Sequence, residues 1–360
     1  MKLILAPMEG VVDYKMRQLL TDIGGYDRCV TEFIRVSAQP VPKKVFLRLC
    51  PELEHGGRTQ AGVPVYVQLL GGCPDLMAKS AVIGASSGAL GIDLNFGCPA
   101  KTVNRRDGGS VLLQYPRRIE SIVEAVRQSV DSAIPVCAKI RLGFDSADLL
   151  PEIVGRIAAA GANELCIHAR TRLDGYKPPA HWQHISGIQR PEKMELIVNG
   201  EIWSSMDALE AQHQSACKSL MLGRGALARP DLARIIRSHL EAGDEQDWQS
   251  FSWPEVATWV ERFFNQQDSG NHRYIGNRTK QWLGYLRKNY VGAEQLFHQI
   301  KKLKDRNEIA TMIKRHRSQI EKMSSLSFAH SLDPTKSFEE LSIHTYSKRS
   351  RKIVGIPSAA

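Results

Sequence analysis

Short apolar runs rich in β-branched residues recur through the first two-thirds of the chain, each followed by a longer stretch with apolar residues at helical spacing. Eight runs read as strands: Leu3–Ala6, Cys29–Phe33, Pro64–Leu69, Gly91–Asn95, Pro135–Ile140, Glu164–His168, Glu195–Val198 and Ser219–Leu222. Each gap between them has room for a helix, and strands alternating with helices predict parallel βαβ units. Eight such units before residue 245 match the size of a (β/α)8 TIM barrel, an α/β fold.

Catalytic groups of that fold lie at the C-terminal ends of the strands. Here those ends read Pro7-Met8-Glu9, Glu32 with Arg35, Gln68, Asn95 with Cys98, Lys139 with Arg141, His168 with Arg170, Asn199-Gly200-Glu201, and Gly223-Arg224-Gly225. All eight carry a polar, charged or glycine residue, which neither a purely structural barrel nor a doubly wound open sheet requires. Past the acidic stretch Asp244–Asp247 the period becomes helical, over Trp253–Gln267, Thr279–Lys288, Ala293–Lys304 and Asn307–Met323, with Pro254 suited to a first helical turn. The predicted organisation is a barrel over 1–245, a small all-α bundle over 246–323 and a basic, irregular extension over 324–360.

Charge adds a partner. The net charge is +10, and residues 1–250 hold 29 basic against 28 acidic side chains, while 251–360 hold 19 against 10. Excess positive charge confined to one end points to a polyanion, nucleic acid ahead of membrane, although a solvated basic helix face would look similar. The run Asn271–Trp282 interleaves Arg273, Arg278 and Lys280 with Tyr274 and Trp282, the mixture that phosphates and stacked bases call for. Further basic clusters are Lys301-Lys302-Lys304-Arg306 and Lys314-Arg315-His316-Arg317. No run approaches the ~20 apolar residues of a membrane span. The opening MKLILAPMEG reads as a first strand, so a cytoplasmic location is expected. Seven scattered cysteines without a Cys-x-x-Cys pair suggest neither a zinc ribbon nor a disulfide framework. His181 and His184 read as incidental loop residues, and no metal is expected.

The candidate chemistry centres on Asn95-Phe96-Gly97-Cys98-Pro99, where a glycine–proline turn fixes a thiol at a strand's functional end. Such a thiol serves as nucleophile, with His168 as its base, as metal ligand or as proton donor. The glycines and Arg224 after strands seven and eight suit a phosphate. There is no Gly-x-Gly-x-x-Gly after the first strand and no Walker loop. Lys139 is either a Schiff-base lysine or a cation beside an electron-rich ring such as a flavin, whose pyrimidine edge Gln68 would suit.

Together, Ala6–Gly10, Val67-Gln68-Leu69, Asp93–Pro99 with Lys101–Asn104, Lys139–Gly143, His168–Thr171, Asn199–Ile202 and Gly223–Ala226 resemble the tRNA-dihydrouridine synthases, over about residues 1–320. The lengths, Glu32–Val36 and Arg278–Leu283 are most similar to the bacterial C-type branch, which acts on uridine 16 of the D-loop. The resemblance implies a barrel that binds FMN, reduced by NADPH, and a helical domain that binds tRNA. It places Cys98 as proton donor to C5 of a flipped-out uracil. Flavin-binding positions would be Pro7, Met8, Glu9, Gln68, Lys139, His168, Asn199, Gly200, Glu201, Gly223 and Arg224. Arg35, Asn95, Arg141, the stacking ring of Tyr176, Arg273, Tyr274, Arg278 and Lys280 would meet the RNA. A monomer is expected. The charged loop Asn104–Gly109 and the tail after Ser324 depart from the family pattern. The alternative is an FMN-dependent barrel oxidoreductase for a small pyrimidine-like molecule, which leaves the basic helices without a purpose.

Overall fold

A computed structural model describes residues 1–241, 250–266 and 272–331, with side chains for 1–240, 250–266 and 276–322. The acidic stretch Asp244–Asp247, the side chains of Arg273 and Tyr274, and the extension beyond residue 331 lie outside the described residues. The strands are β1 (Leu3–Leu5), β2 (Arg28–Val30), β3 (Ile34–Arg35), β4 (Val65–Leu70), β5 (Ile92–Asn95), β6 (Val136–Arg141), β7 (Glu164–His168), β8 (Glu195–Asn199) and β9 (Ser219–Leu222). They pair in parallel in the order β2–β1–β9–β8–β7–β6–β5–β4, and β4 pairs back with β2, closing the expected eight-stranded barrel. The helices between strands are α1 (Tyr14–Ile23), α2 (Lys43–Leu49), α3 (Pro74–Ser86), α4 (Lys101–Asn104), α5 (Pro116–Ser129), α6 (Leu150–Ala159), α7 (Gln183–Ser186) and α8 (Ser205–Ser215), and α9 (Arg224–Ala228) and α10 (Leu232–Glu241) follow the last strand. The helical segment comprises α11 (Trp253–Asn265), α12 (His272–Leu286), α13 (Val291–Ile300) and α14 (Arg306–Ser331). The chain divides after Ile313 into two compact units, and the architecture below is that of Met1–Ile313.

Local signals account for the helix starts. Asp13 caps α1, accepting from Met16 N at 3.0 Å, and Ser204 with Asp207, and Ser252 with Glu255, form capping boxes on α8 and α11. Prolines occupy the first turns of α3, α5, α6 and α11, where the missing N–H costs nothing.

Along each strand one set of alternate residues faces the helices and the other faces the barrel axis. Leu3, Leu5, Val65, Val67, Ile92, Leu94, Ile140, Leu165 and Ile167 join the large outer core, while Ile4, Ala6, Val30, Cys166, Ile197 and Met221 form a separate apolar cluster. Beneath that cluster a charged layer closes the bottom: Lys2 pairs with Glu164 and Glu195, each at 2.7 Å, and Arg28 pairs with Glu164 and stacks over Tyr66. The functional end is therefore the one left open.

The second strand breaks. The run expected over Cys29–Phe33 ends at Val30, and pairing resumes at Ile34. Val30 pairs with Tyr66 and Ile34 with Leu69, so the outer chain carries one residue more than its partner. That is a bulge, and Thr31 explains it: its hydroxyl, not a backbone carbonyl, accepts from Gln68 N at 3.0 Å. The bulge lets Phe33 and Arg35 line the barrel mouth.

Candidate active site

Strand register assembles the mouth. Asn95 pairs with Lys139, Arg141 with His168, and His168 with Asn199, so four neighbouring strands present polar tips at similar height. One hollow is bordered by Pro7, Met8, Lys139, His168, Asn199, Gly200, Glu201, Gly223 and Arg224, and an adjoining cleft by Glu9, Arg35, Gln68, Asn95, Cys98 and Arg141. Tyr176, Lys139, His168 and Arg224 border both. All eleven positions expected to hold a flavin thus meet in one continuous space with the thiol.

The two glycine loops are pressed together behind that space. A Cβ on Gly225 would sit 2.1 Å from the carbonyl oxygen of Ile202, and one on Gly200, whose φ is +112°, would sit 2.7 Å from the His168 ring. A Cβ on Gly223 would meet nothing nearer than 3.9 Å, which leaves the wall open there. Glu201 borders the hollow, with its carboxylate held by the fully buried Arg170 and by Trp203 Nε1 at 2.9 Å.

Lys139 donates to Asn199 Oδ1 at 3.1 Å, its one hydrogen bond among the described residues. An ammonium has three donors, so two remain for a group in the hollow. Burial pushes this amine below its ordinary pKa. His168 is pushed well below its ordinary range, first by burial and then by Arg141, Lys139, Arg170 and Arg224. It is a neutral imidazole and a poor base, so the nucleophilic reading of Cys98 loses its partner. Cys98 itself is shifted up by burial, against the pull of Arg141 and Arg35, so the thiol form prevails at neutral pH. Histidines 181 and 184 stack edge-on at 6.0 Å, and among the described residues no three potential ligands gather around a metal position.

Several residues expected to meet the substrate also have partners within the fold. Asn95, expected to hold the base, commits its oxygen to the N–H groups of Gly97 and Cys98, both at 3.0 Å, and its nitrogen to Gln68 at 2.8 Å. Arg141 is almost fully buried and donates to the carbonyls of Gly97, Thr171 and Gly175, at 2.8 to 3.0 Å, carrying Tyr176 beneath its guanidinium at 5.1 Å. Arg224 lies 5.1 Å from the same ring, so Tyr176, half exposed, sits between two cations at the mouth. Arg278 and Lys280 also have partners within the fold. Arg278 donates to the carbonyls of Gly10 and Val11 and to Asp13, and Lys280 to the carbonyl of Leu303. Trp282 is buried and donates to Leu227 O at 3.0 Å. These contacts seat α12 on the loop after β1 and on α9, and the apolar side chains of both parts merge into one core cluster. Sequence reasoning left Phe33, Trp203 and Tyr285 out of the site. Trp203 was within reach, two residues beyond Glu201, but nothing local marks Tyr285 on α12 as part of the mouth.

Residues 4–324 match the dihydrouridine synthase (Dus) family. The chain belongs to the dihydrouridine synthase family. It is 45% identical over 314 residues to the tRNA-dihydrouridine(16) synthase of Shewanella oneidensis, covering 87% of this chain and 97% of that one. It is 45% identical over 323 residues to the protein of the same name from Vibrio vulnificus, covering 89% and 99%, and 41% identical to that of Neisseria meningitidis, covering 87% and 93%. The family inferred from the strand-end motifs is the family matched, and a flavin-dependent oxidoreductase follows from it. Among the described residues no helix is long and apolar enough to cross a membrane.

Proposed function

We propose that this chain reduces the C5=C6 bond of a uridine in the tRNA D-loop, at position 16, to 5,6-dihydrouridine, with FMN as cofactor and NADPH as reductant. The observation that carries the reading is the continuity of the glycine-walled hollow around Lys139 with the cleft holding the Cys98 thiol. The residues fit the flavin. Arg224 and the loops at Gly200 and Gly223 suit its phosphate, and the two spare donors of Lys139 suit an electron-rich ring edge. Bound there, the flavin would supply a hydrogen with its electron pair to C6 of the uracil.

The chain's own groups do the rest. The Cys98 thiol gives its proton to C5, so the carbon that faces away from reduction is saturated and a thiolate remains. Arg141 and Arg35, which pull the thiol's pKa down, stabilise that thiolate until a solvent proton restores it. Tyr176, held by Arg141 and Arg224, offers a face on which the extruded base stacks. His168, uncharged, donates or accepts without competing for the proton. Arg35 and the exposed Lys101, Arg105 and Arg106 beside the Cys98 turn are the cations we assign to the RNA backbone. With Arg278 tied to the loop after β1, the helical segment's contribution falls to Lys280, whose ammonium keeps two donors beyond Leu303 O, to Arg273 and to the basic stretch from Lys301 to Arg306. We assign the enzyme to the cytoplasm, as a monomer.

The test is direct. Purified protein supplied with FMN and NADPH should convert unmodified tRNA, and nuclease mapping by mass spectrometry should place a gain of two hydrogens at position 16. Conversion at another D-loop uridine would overturn the position. Turnover of free uridine but not of tRNA would favour the small-pyrimidine alternative.

A further inference from the structure

Asp93 lies on β5, faces the barrel axis, is 3% exposed and borders neither the hollow nor the cleft. Its Oδ2 accepts from Gln68 Nε2 at 2.6 Å, Gln68 Oε1 accepts from Asn95 Nδ2 at 2.8 Å, and Asn95 Oδ1 accepts from the backbone N–H groups of Gly97 and Cys98 at 3.0 Å. The polarity of this chain is forced from both ends. An ionised carboxylate can only accept, and two backbone amides can only donate. Between them each primary amide has one consistent orientation. The same relay touches both halves of the site, since Gln68 is a wall of the cleft and Asn95 shapes the turn that carries the thiol.

We propose that Asp93 is a positioning residue for the reduction, fixing the orientation of the Gln68 and Asn95 amides and through them the place of the Cys98 thiol over the substrate. The inference rests on the reading of Cys98 as proton donor. Without an acceptor at position 93, Gln68 is free to turn its nitrogen away. Asn95 then loses the partner that aims its oxygen at the Cys98 turn, and the thiol moves relative to C5. A displacement of about 1 Å at a reacting group costs about 10²-fold in rate. A bystander in the barrel packing would give no such loss once folding is intact.

Two substitutions separate acceptor from bulk. Asp93→Asn keeps an oxygen for Gln68 Nε2, whereas Asp93→Leu keeps only the volume. Circular dichroism and thermal unfolding first establish which variants fold. Single-turnover formation of dihydrouridine by the pre-reduced enzyme should fall about 10²-fold in Asp93→Leu and recover to within about tenfold of wild type in Asp93→Asn. Independently of turnover, iodoacetamide labelling of Cys98 in the flavin-free protein, followed by peptide mass spectrometry across pH 6–9, should show a faster-reacting thiol in Asp93→Leu and a wild-type profile in Asp93→Asn. Equal losses in both variants would assign the effect to the charge of Asp93 and overturn the proposal, as would an unchanged labelling profile in folded Asp93→Leu. Should Asp93→Leu not fold, Gln68→Leu interrupts the relay one link later and must give the same altered labelling. An inactive wild-type enzyme with normal Cys98 labelling would count against the functional reading and leave the labelling comparison to decide the relay.

Discussion

Replacing Arg278 by alanine decides between two uses of the same charge. The sequence pattern offers Arg278 to tRNA, while the structure ties it to Gly10 O, to Val11 O at 2.6 Å and to Asp13 at 3.0 Å. The ion pair with Asp13 is partly exposed, at 21% and 31% of the two side chains, so its share is at most about 1 kcal/mol. Of the two carbonyl bonds from the charged donor, the part-buried one to Val11 is worth about 1.5 kcal/mol and the exposed one to Gly10 about 0.5 kcal/mol. The total is at most about 3 kcal/mol, concentrated on the loop that follows Met8 and Glu9 in the cleft wall. Urea denaturation of Arg278→Ala should show this loss, and FMN should be held less tightly because that loop loosens. The tRNA affinity measured across a salt series should keep its slope. An arginine bound to phosphate would behave oppositely: stability within about 0.5 kcal/mol of wild type and a salt slope shallower by about one charge. That result would refute the docking role.

Four further outcomes follow from the structure. Cys98→Ala should accept electrons from NADPH at the normal rate yet form dihydrouridine about 10²- to 10⁴-fold more slowly. Because burial raises the thiol's pKa, the wild-type rate should stay flat between pH 6 and 8, and a steep decline there, followed by stopped-flow, would contradict a protonated donor. Gly225→Ala forces a Cβ to within 2.1 Å of Ile202 O, so the loops after β8 and β9 must separate and the protein should lose its yellow colour; unchanged FMN affinity by fluorescence titration would show that those loops do not carry the cofactor. Asp93 is shifted by burial from 3.8 to about 6. A pKa raised in the folded state gives stability that is complete below the ordinary value and is lost as pH rises through the folded one. At 1.36 kcal/mol per pH unit the ionised carboxylate costs about 3 kcal/mol at neutral pH. Asp93→Asn should therefore gain stability relative to wild type as pH rises from 4 to 7, and a difference constant with pH would mean that the carboxylate is not desolvated.

The sequence alone settled what repeats locally. Strand edges came out within a residue or two at seven of the eight positions, because alternation and β-branching are properties of neighbouring residues. The Asn95–Pro99 turn and the glycine loops were legible for the same reason: a barrel places every strand end at one rim, so residues hundreds apart in the chain can be grouped from fold class alone. What tertiary structure decided are the partners of polar groups. The break after Val30 depends on a hydroxyl meeting an amide of the next strand. Arg278, Lys280 and Trp282 look from sequence like an RNA-facing set, yet their acceptors are carbonyls on other elements of the fold. Asp93 looks like one more buried strand residue until Gln68 and Asn95 are seen beside it. A hydrogen bond is set by distance and direction over a few ångströms, and residue order along a chain does not encode which distant group will stand there.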